Sequence, residues 1–336
     1  MSGYVPRETY GEFLKYIHIK NGGIVVKEKI TTHLQRKIRD GSTAIARQFQ
    51  LQNIPSENIA PNDPLGEESF FSPAKGIVHK YPNRVLWKVT YQCAAHCRFC
   101  TRIRQIGLPE GDLDDNDIMS ALYYIRSHPE IDDVILSGGD PLIVPQTLMR
   151  IISGLRDIPS VRVVRVGTRL PIHSPKSISS PHVERVFKEL QACAANFQTY
   201  VLVHVNHPDE LDYEATDSIR TIRAYGFPML SQTVFLKTVN DNDEVLEELF
   251  KKLYYLGVIP YYIYRCDYVK GLEQFVCDIE QESEIMTALH KRMSGIALPQ
   301  YIVDVEGVGK IPVPLGFWDV PNIRHCRDYT DTSIQL

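Results

Sequence analysis

Apolar residues recur along this chain in two alternating textures. Runs rich in β-branched and aromatic residues at Val85–Tyr91, Asp133–Ser137, Val161–Val166, Thr199–Val205, Met229–Leu236 and Ile259–Tyr264 have the length and spacing of strands. Between them, and after the last, Asp115–Ser127, Pro145–Leu155, His182–Ala194, Asp212–Tyr225, Asp243–Leu256 and Glu282–Met293 repeat apolar residues every three or four positions. They begin near capping residues, which predicts helices. A final short strand is predicted at Tyr301–Asp304. Six repeats of strand then helix imply parallel strands joined by right-handed crossovers. The fold class is therefore α/β, a parallel sheet that is open or partly closed as a barrel.

The first 80 or so residues read differently. Arg7–Ile17 and Lys27–Phe49 carry apolar residues at helix-like spacing, and Asn53–Lys75, rich in Pro, Asn and Ser, reads as a connector. With 37 Lys and Arg against 41 Asp and Glu, a net charge of −4 argues against a nucleic-acid partner held by bulk positive charge. A hydrophobic content of 43% is ample for a large core and excludes global disorder. The longest stretch free of charged residues, Leu190–Pro208, contains Gln191, Asn196, Gln198, His204 and Asn206, too polar for a membrane span. The opening residues MSGYVPRETYGEF hold no apolar signal core, so a soluble cytoplasmic protein is expected.

Of seven cysteines, Cys193, Cys266, Cys277 and Cys326 are scattered, whereas Cys93, Cys97 and Cys100 crowd one loop directly after the first strand. A reducing compartment with a metal site fits this better than a disulfide scaffold. Thiolates suit zinc or an iron–sulfur cluster. Three ligands in one loop leave a fourth iron of a [4Fe–4S] cluster open; zinc completed by a remote Cys or His, and chance clustering, are the alternatives. Parallel barrels gather their chemistry where strands end. Here Ser137, Gly138, Gly139 and Asp140 follow the second strand, Gly167-Thr168-Arg169 the third, and His204 and Asn206 close the fourth. Gln232 lies in the fifth strand and Asp267 follows the sixth. Taken alone, the SGGDP turn reads equally as a capped strand-to-helix turn, and His204 as a core histidine.

The CxxxCxxC after the first strand resembles the radical S-adenosylmethionine (SAM) superfamily. Cys100-Thr101-Arg102, SGGDPL at Ser137–Leu142, VHVNHPDEL at Val203–Leu211, YYIYRCDYVKGLEQF at Tyr261–Phe275 and VDVEGVGKIPV at Val303–Val313 resemble the lysine 2,3-aminomutase family. That resemblance implies a partial (β/α)6 radical-SAM barrel over 79–296, after an N-terminal helical extension and connector at 1–78. A C-terminal segment and tail at 297–336 would carry the pyridoxal phosphate (PLP) lysine, Lys310. It further implies a [4Fe–4S] cluster on Cys93, Cys97 and Cys100. SAM would lie near Ser137, Gly138, Gly139, Asp140, His204 and Gln232. PLP would be lined by Lys80, Tyr81 and Arg84 and anchored by Lys310. Arg102 would clamp the substrate carboxylate, and Asp267 and Asp304 would face a distal cation. An amino-acid substrate and an electron donor such as flavodoxin or ferredoxin follow, and a homo-oligomer is left open.

Two departures from the family pattern matter. The segment Asp304-Val305-Glu306-Gly307-Val308-Gly309-Lys310 is one residue shorter and less glycine-rich than the family's run into the PLP lysine, which alters the expected phosphate cradle. Asn242 stands where longer members have a zinc cysteine, and the tail offers only His325 and Cys326, so no structural zinc is expected. The expected function is 2,3-amino migration on a cationic amino acid, L-lysine first and L-arginine second. Diverged radical chemistry, a PLP-free SAM enzyme and a non-catalytic metal protein remain alternatives.

Overall fold

The alternation of buried and half-buried positions along each strand sets the architecture of this protein. A computed structural model of the chain describes residues 28–51, 63–68 and 72–315, with the backbone alone for Ile17–Lys20, Gly23–Val26, His325–Arg327 and Ser333–Gln335. β1 (Ile17–Lys20) and β2 (Gly23–Val26) pair as an antiparallel hairpin. They precede two short helices, α1 (Thr32–Arg39) and α2 (Thr43–Phe49). The predicted helix over Lys27–Phe49 is thus two helices. Gly41, at φ +101°, turns the chain, and Ser42 caps α2 by accepting from the Ile45 N–H. The helix expected at Arg7–Ile17 lies outside the described residues except for Ile17, which starts β1.

The main sheet has nine strands. β3 (Ile77–Tyr81) runs antiparallel to β4 (Arg84–Thr90). From β4 the sheet continues in parallel through β5 (Asp133–Gly138), β6 (Val163–Thr168), β7 (Gln198–His204), β8 (Met229–Val234), β9 (Ile259–Tyr264) and β10 (Gln300–Val305). β11 (Gly309–Pro312) folds back antiparallel on β10. Crossover helices follow the parallel strands: α3 (Asp115–Ser127), α4 (Pro145–Arg156), the single turn α5 (Leu170–His173) and α6 (Pro181–Ala192). The remaining three are α7 (Tyr213–Arg223), α8 (Asp243–Tyr255) and α9 (Ile279–Arg292). Their starts are set locally: Asp114, Ser180, Asp212, Asn242 and Asp278 each cap the helix that follows.

Alternate strand residues Val85, Trp87, Val134, Leu136, Val164, Val166, Val201 and Val203 pack with Leu148, Ile151, Val186, Phe187, Ile219 and Leu249 of the helices in one buried core. The intervening residues, including Lys88, Ser137, Arg165, His204, Gln232 and Tyr264, point the other way, into the barrel. This is the α/β barrel expected from the sequence, with the six strand–helix repeats in place.

The β1–β2 hairpin was not foreseen. Within the main sheet two further strands, β3 and β11, were not foreseen either, and they form its two edges. Among the described residues no backbone ladder joins them. Side chains span the gap instead: Lys80 Nζ lies 3.0 Å from Asp304 Oδ1 and donates to the Val305 carbonyl at 3.3 Å. The Lys310 N–H donates to the Tyr81 hydroxyl at 2.8 Å. Among the described residues no helix is long and apolar enough to cross a membrane.

Candidate active site

The cysteine loop leaves the end of β4 and is held from two sides. On the barrel side, the Gly139 N–H donates to Thr90 O at 2.6 Å and the Asp140 N–H to Gln92 O at 2.8 Å. The approach is so close that a Cβ on Gly139 would sit 2.2 Å from the Gln92 carbonyl oxygen. Gly138, at φ +110°, takes a conformation that side chains disfavour. The double glycine therefore docks the end of β5 onto the backbone that enters Cys93.

On the outer side, the N-terminal arm grips the same loop. The His96 N–H donates to Lys29 O at 2.9 Å, the Arg98 N–H to Gln48 O at 2.8 Å, and Lys29 Nζ to Cys93 O at 2.8 Å. Leu34, Ile45 and Phe49 pack on Ala95, with Cys97 against them.

Burial raises all three thiols, Cys93 well above its ordinary range and Cys100 to about 11. Burial raises Cys97 too, and Arg169, whose Nη1 is 2.8 Å from Sγ, opposes it. Among the described residues no three His, Cys, Asp or Glu side chains converge as ligands of one metal ion. A cubane binds its cysteines through separate irons, so its sulfurs stand further apart than the ligands of a single ion. The donor set fits such a cluster: three soft thiols in one buried loop, each felt electrostatically by a neighbour, with the Arg169 cation beside them. Among the described residues, Arg169 Nε and His173 Nδ1 are also buried here without a hydrogen-bond partner.

Asp140 serves the fold. Its carboxylate accepts from the Leu142 N–H, the Thr168 hydroxyl and the Arg169 N–H, between 2.8 and 3.1 Å. The capping role set out from the sequence is therefore what its contacts describe, and the Gly138–Gly139 backbone is what faces the cysteine loop. His204 Nε2 lies 3.0 Å from Asn206 Oδ1, and its ring sits 5.6 Å from that of Phe99 in the cysteine loop. Burial, then Arg169, lowers its pKa to about 3, so the ring is neutral.

A second group forms at the gap between the sheet edges. Lys310 Nζ and Lys80 Nζ each lie 3.0 Å from Asp304. The Arg84 guanidinium stacks 4.0 Å over the Tyr81 ring, and Gln232 donates to the Tyr264 hydroxyl at 3.1 Å. Lys310 Nζ stands 5.8 Å from the centre of the Tyr264 ring. Lys80, Tyr81, Arg84, Gln232, Asp304 and Lys310, named separately from the sequence, are thus brought to one corner. The chemistry fits an aldehyde-bearing phosphate: a primary amine, flat aromatic rings and two further cations.

Asp267 and Asp304 share a cavity of about 480 Å³ with Arg265, Cys266, Tyr268 and Val303. Arg102 is engaged by a residue the sequence reading passed over. Its Nε and Nη2 donate to the two oxygens of buried Glu67 at 2.7 and 2.6 Å. Nη1 takes no part in that pair and has donors to offer a further carboxylate. Glu67 lies in the expected connector, and Gln48, Glu210 and His173 were also missed. Their partners are far away in sequence, and only Arg169, at a strand end, carried a positional signal.

A cysteine loop above β4, a glycine turn closing onto it from β5 and an open parallel barrel define a radical SAM domain. Residues 87–250 match the Radical SAM superfamily. The L-lysine 2,3-aminomutase of Clostridium subterminale is 40% identical over 253 residues, 75% of this chain and 59% of that one. That of Acetoanaerobium sticklandii is 38% identical over 272 residues, 80% of this chain and 63% of that one. The glutamate 2,3-aminomutase of Clostridioides difficile is 35% identical over 253 residues, 75% of this chain and 58% of that one. The chain belongs to the lysine 2,3-aminomutase family of radical SAM proteins, and spans about three-fifths of the length of these relatives.

Proposed function

We propose that this chain is an isomerase that moves the α-amino group of a cationic L-amino acid to its β-carbon, with L-lysine to β-lysine preferred and L-arginine second. The observation that carries the reading is the pair Asp267 and Asp304 in one cavity, with Asp304 3.0 Å from the Lys310 amine. Two carboxylates favour a cationic side chain and repel the acidic one of glutamate.

In this reading Cys93, Cys97 and Cys100 hold a [4Fe–4S] cluster. Ser137, Gly138, Gly139 and Asp140 shape the SAM side, with His204 and Gln232 beside it, and Lys310 anchors PLP among Lys80, Tyr81 and Arg84. When bound, the cluster and SAM supply a carbon-centred radical, and PLP supplies a conjugated ring that delocalises the unpaired electron. The protein's own work is placement and exclusion. Arg102 holds the substrate carboxylate through Nη1, Asp267 and Asp304 hold the distal cation, and the barrel wall keeps water from the reacting atoms. Neutral His204 brings no positive charge of its own to the site. The barrel unit at 79–296 continues into the lysine segment at 297–336, whose β10 and β11 extend the same sheet, and residues 1–78 are an extension whose 28–51 stretch touches the cysteine loop. The electron comes from a one-electron donor of the flavodoxin or ferredoxin class.

The test is an anaerobic assay of the reconstituted, reduced protein with SAM and PLP, offering L-lysine, L-arginine and L-glutamate separately. A same-mass β-isomer from lysine is expected, detected by mass spectrometry after derivatisation. Formation of 5′-deoxyadenosine with no isomer from any of the three would overturn the aminomutase reading while leaving the radical chemistry standing.

A further inference from the structure

Around the Cys97 sulfur the protein has built a charged, fully enclosed clamp. Arg169 Nη1 lies 2.8 Å from Cys97 Sγ, and His173 Nε2 lies 3.6 Å from it. The guanidinium is held through both of its terminal nitrogens and between two rings. Its Nη2 donates to Gln48 Oε1 at 2.7 Å and to Glu210 Oε1 at 2.9 Å. Phe49 and Phe99 cover it at 5.2 and 5.0 Å. Gln48 and Glu210 are both wholly buried, and Gln48 Nε2 also donates to Glu210 Oε1 at 2.8 Å. The Asn206 N–H takes the second Glu210 oxygen at 3.2 Å. Burying an arginine and a glutamate together in this way is costly unless each is fully partnered. Arg169 keeps one buried N–H, Nε, with no partner among the described residues.

We propose that Arg169 is a positioning residue of the cluster that stabilises its reduced state through the Cys97 sulfur, and that Glu210 and Gln48 set how much of its charge the cluster feels. The inference rests on the assignment of Cys93, Cys97 and Cys100 to a [4Fe–4S] cluster. Hydrogen bonds to ligand sulfurs and nearby net charge tune the potentials of such clusters. One-electron reduction adds a negative charge inside a poorly screened interior, so a fixed cation at the sulfur favours the reduced form, and a carboxylate behind that cation offsets it. Because Gln48 comes from α2, the N-terminal arm takes part in setting the potential of a barrel site.

The test is a redox titration of the full-length reconstituted protein without SAM, followed by electron paramagnetic resonance. At a fixed poised potential, R169Q should lower the ratio of reduced to oxidised cluster about tenfold, equivalent to ~59 mV for one electron. E210Q should raise the ratio, and R169K should fall between R169Q and the wild type. Opposite signs for R169Q and E210Q are the signature, since a merely structural disturbance has no reason to move them apart. An unchanged ratio in R169Q, or shifts of one sign in both, would overturn the proposal. Should R169Q fail to retain the cluster, E210Q decides: a rise supports the proposal and a fall or no change overturns it. A wild-type chain that takes up no iron and sulfide would remove the cysteine assignment itself, and this inference with it.

Discussion

Asp267 and Asp304 are carboxylates in one cavity, yet their surroundings drive them apart. Burial and then the charge of Asp304 push Asp267 up to about 7. Burial acts on Asp304 in the same direction, but Lys310 and Lys80 outweigh it and hold that carboxyl below its ordinary value. Near neutral pH, then, Asp304 is ionised and Asp267 is poised. A cation binds the ionised form of Asp267, so binding must release the proton that Asp267 carries at lower pH. Affinity for a cationic amino acid should therefore fall as pH drops below about 7, approaching tenfold per unit, and level off above it. Asp267→Asn should flatten this profile. A binding isotherm measured across the range checks it, and an identical slope in the variant would mean that another group titrates.

The arm formed by α1 and α2 contributes more than its length suggests. Phe49 is fully buried between this arm and the cysteine loop, against His173 at 5.4 Å and beneath the Arg169 guanidinium. Phe49→Ala should cost about 3–5 kcal/mol locally. Because the cluster around Phe49 is distinct from the main barrel core, the loss should appear first as reduced iron content, with circular dichroism of the barrel little changed. Coincident loss of both signals would show that arm and barrel unfold as one unit. The crossover helices were legible in the sequence because their caps and apolar stripes are local. The start of α9 came out only at Ile279, three residues before the expected Glu282, because Asp278 caps it. The arm's role was not legible. It depends on backbone groups of Lys29 and Gln48 meeting residues 96 and 98, and nothing in their own neighbourhood records that. The same holds for Glu67 on Arg102. Asp140 shows the converse, a motif residue whose side chain is used up by the fold that its glycines serve.

Across the whole molecule, the sheet is a cylinder with a gap between β3 and β11 that side chains alone span. Lys80 and Asp304, each nearly buried, form the central tie at 3.0 Å. Lys80→Met leaves Asp304 with Lys310 as its remaining ion-pair partner, and should destabilise the chain by about 1–3 kcal/mol. Adding Asp304→Asn should return part of that loss, because it removes the under-compensated charge. Denaturant midpoints of the two single variants and the double variant test this; a Lys80→Met midpoint equal to the wild type would show that the tie contributes nothing.

Backbone ladders elsewhere in the wall are indifferent to what the barrel contains, but this tie shares one carboxylate, Asp304, with the corner that a guest molecule would enter. An occupant that draws on Asp304 competes with Lys80 across the gap, whereas the Lys310–Asp304 pair lies within the β10–β11 ladder. The joint between β3 and β11 is thus held by charge, and its strength should fall with rising ionic strength in a way that the hydrogen-bonded ladders do not share.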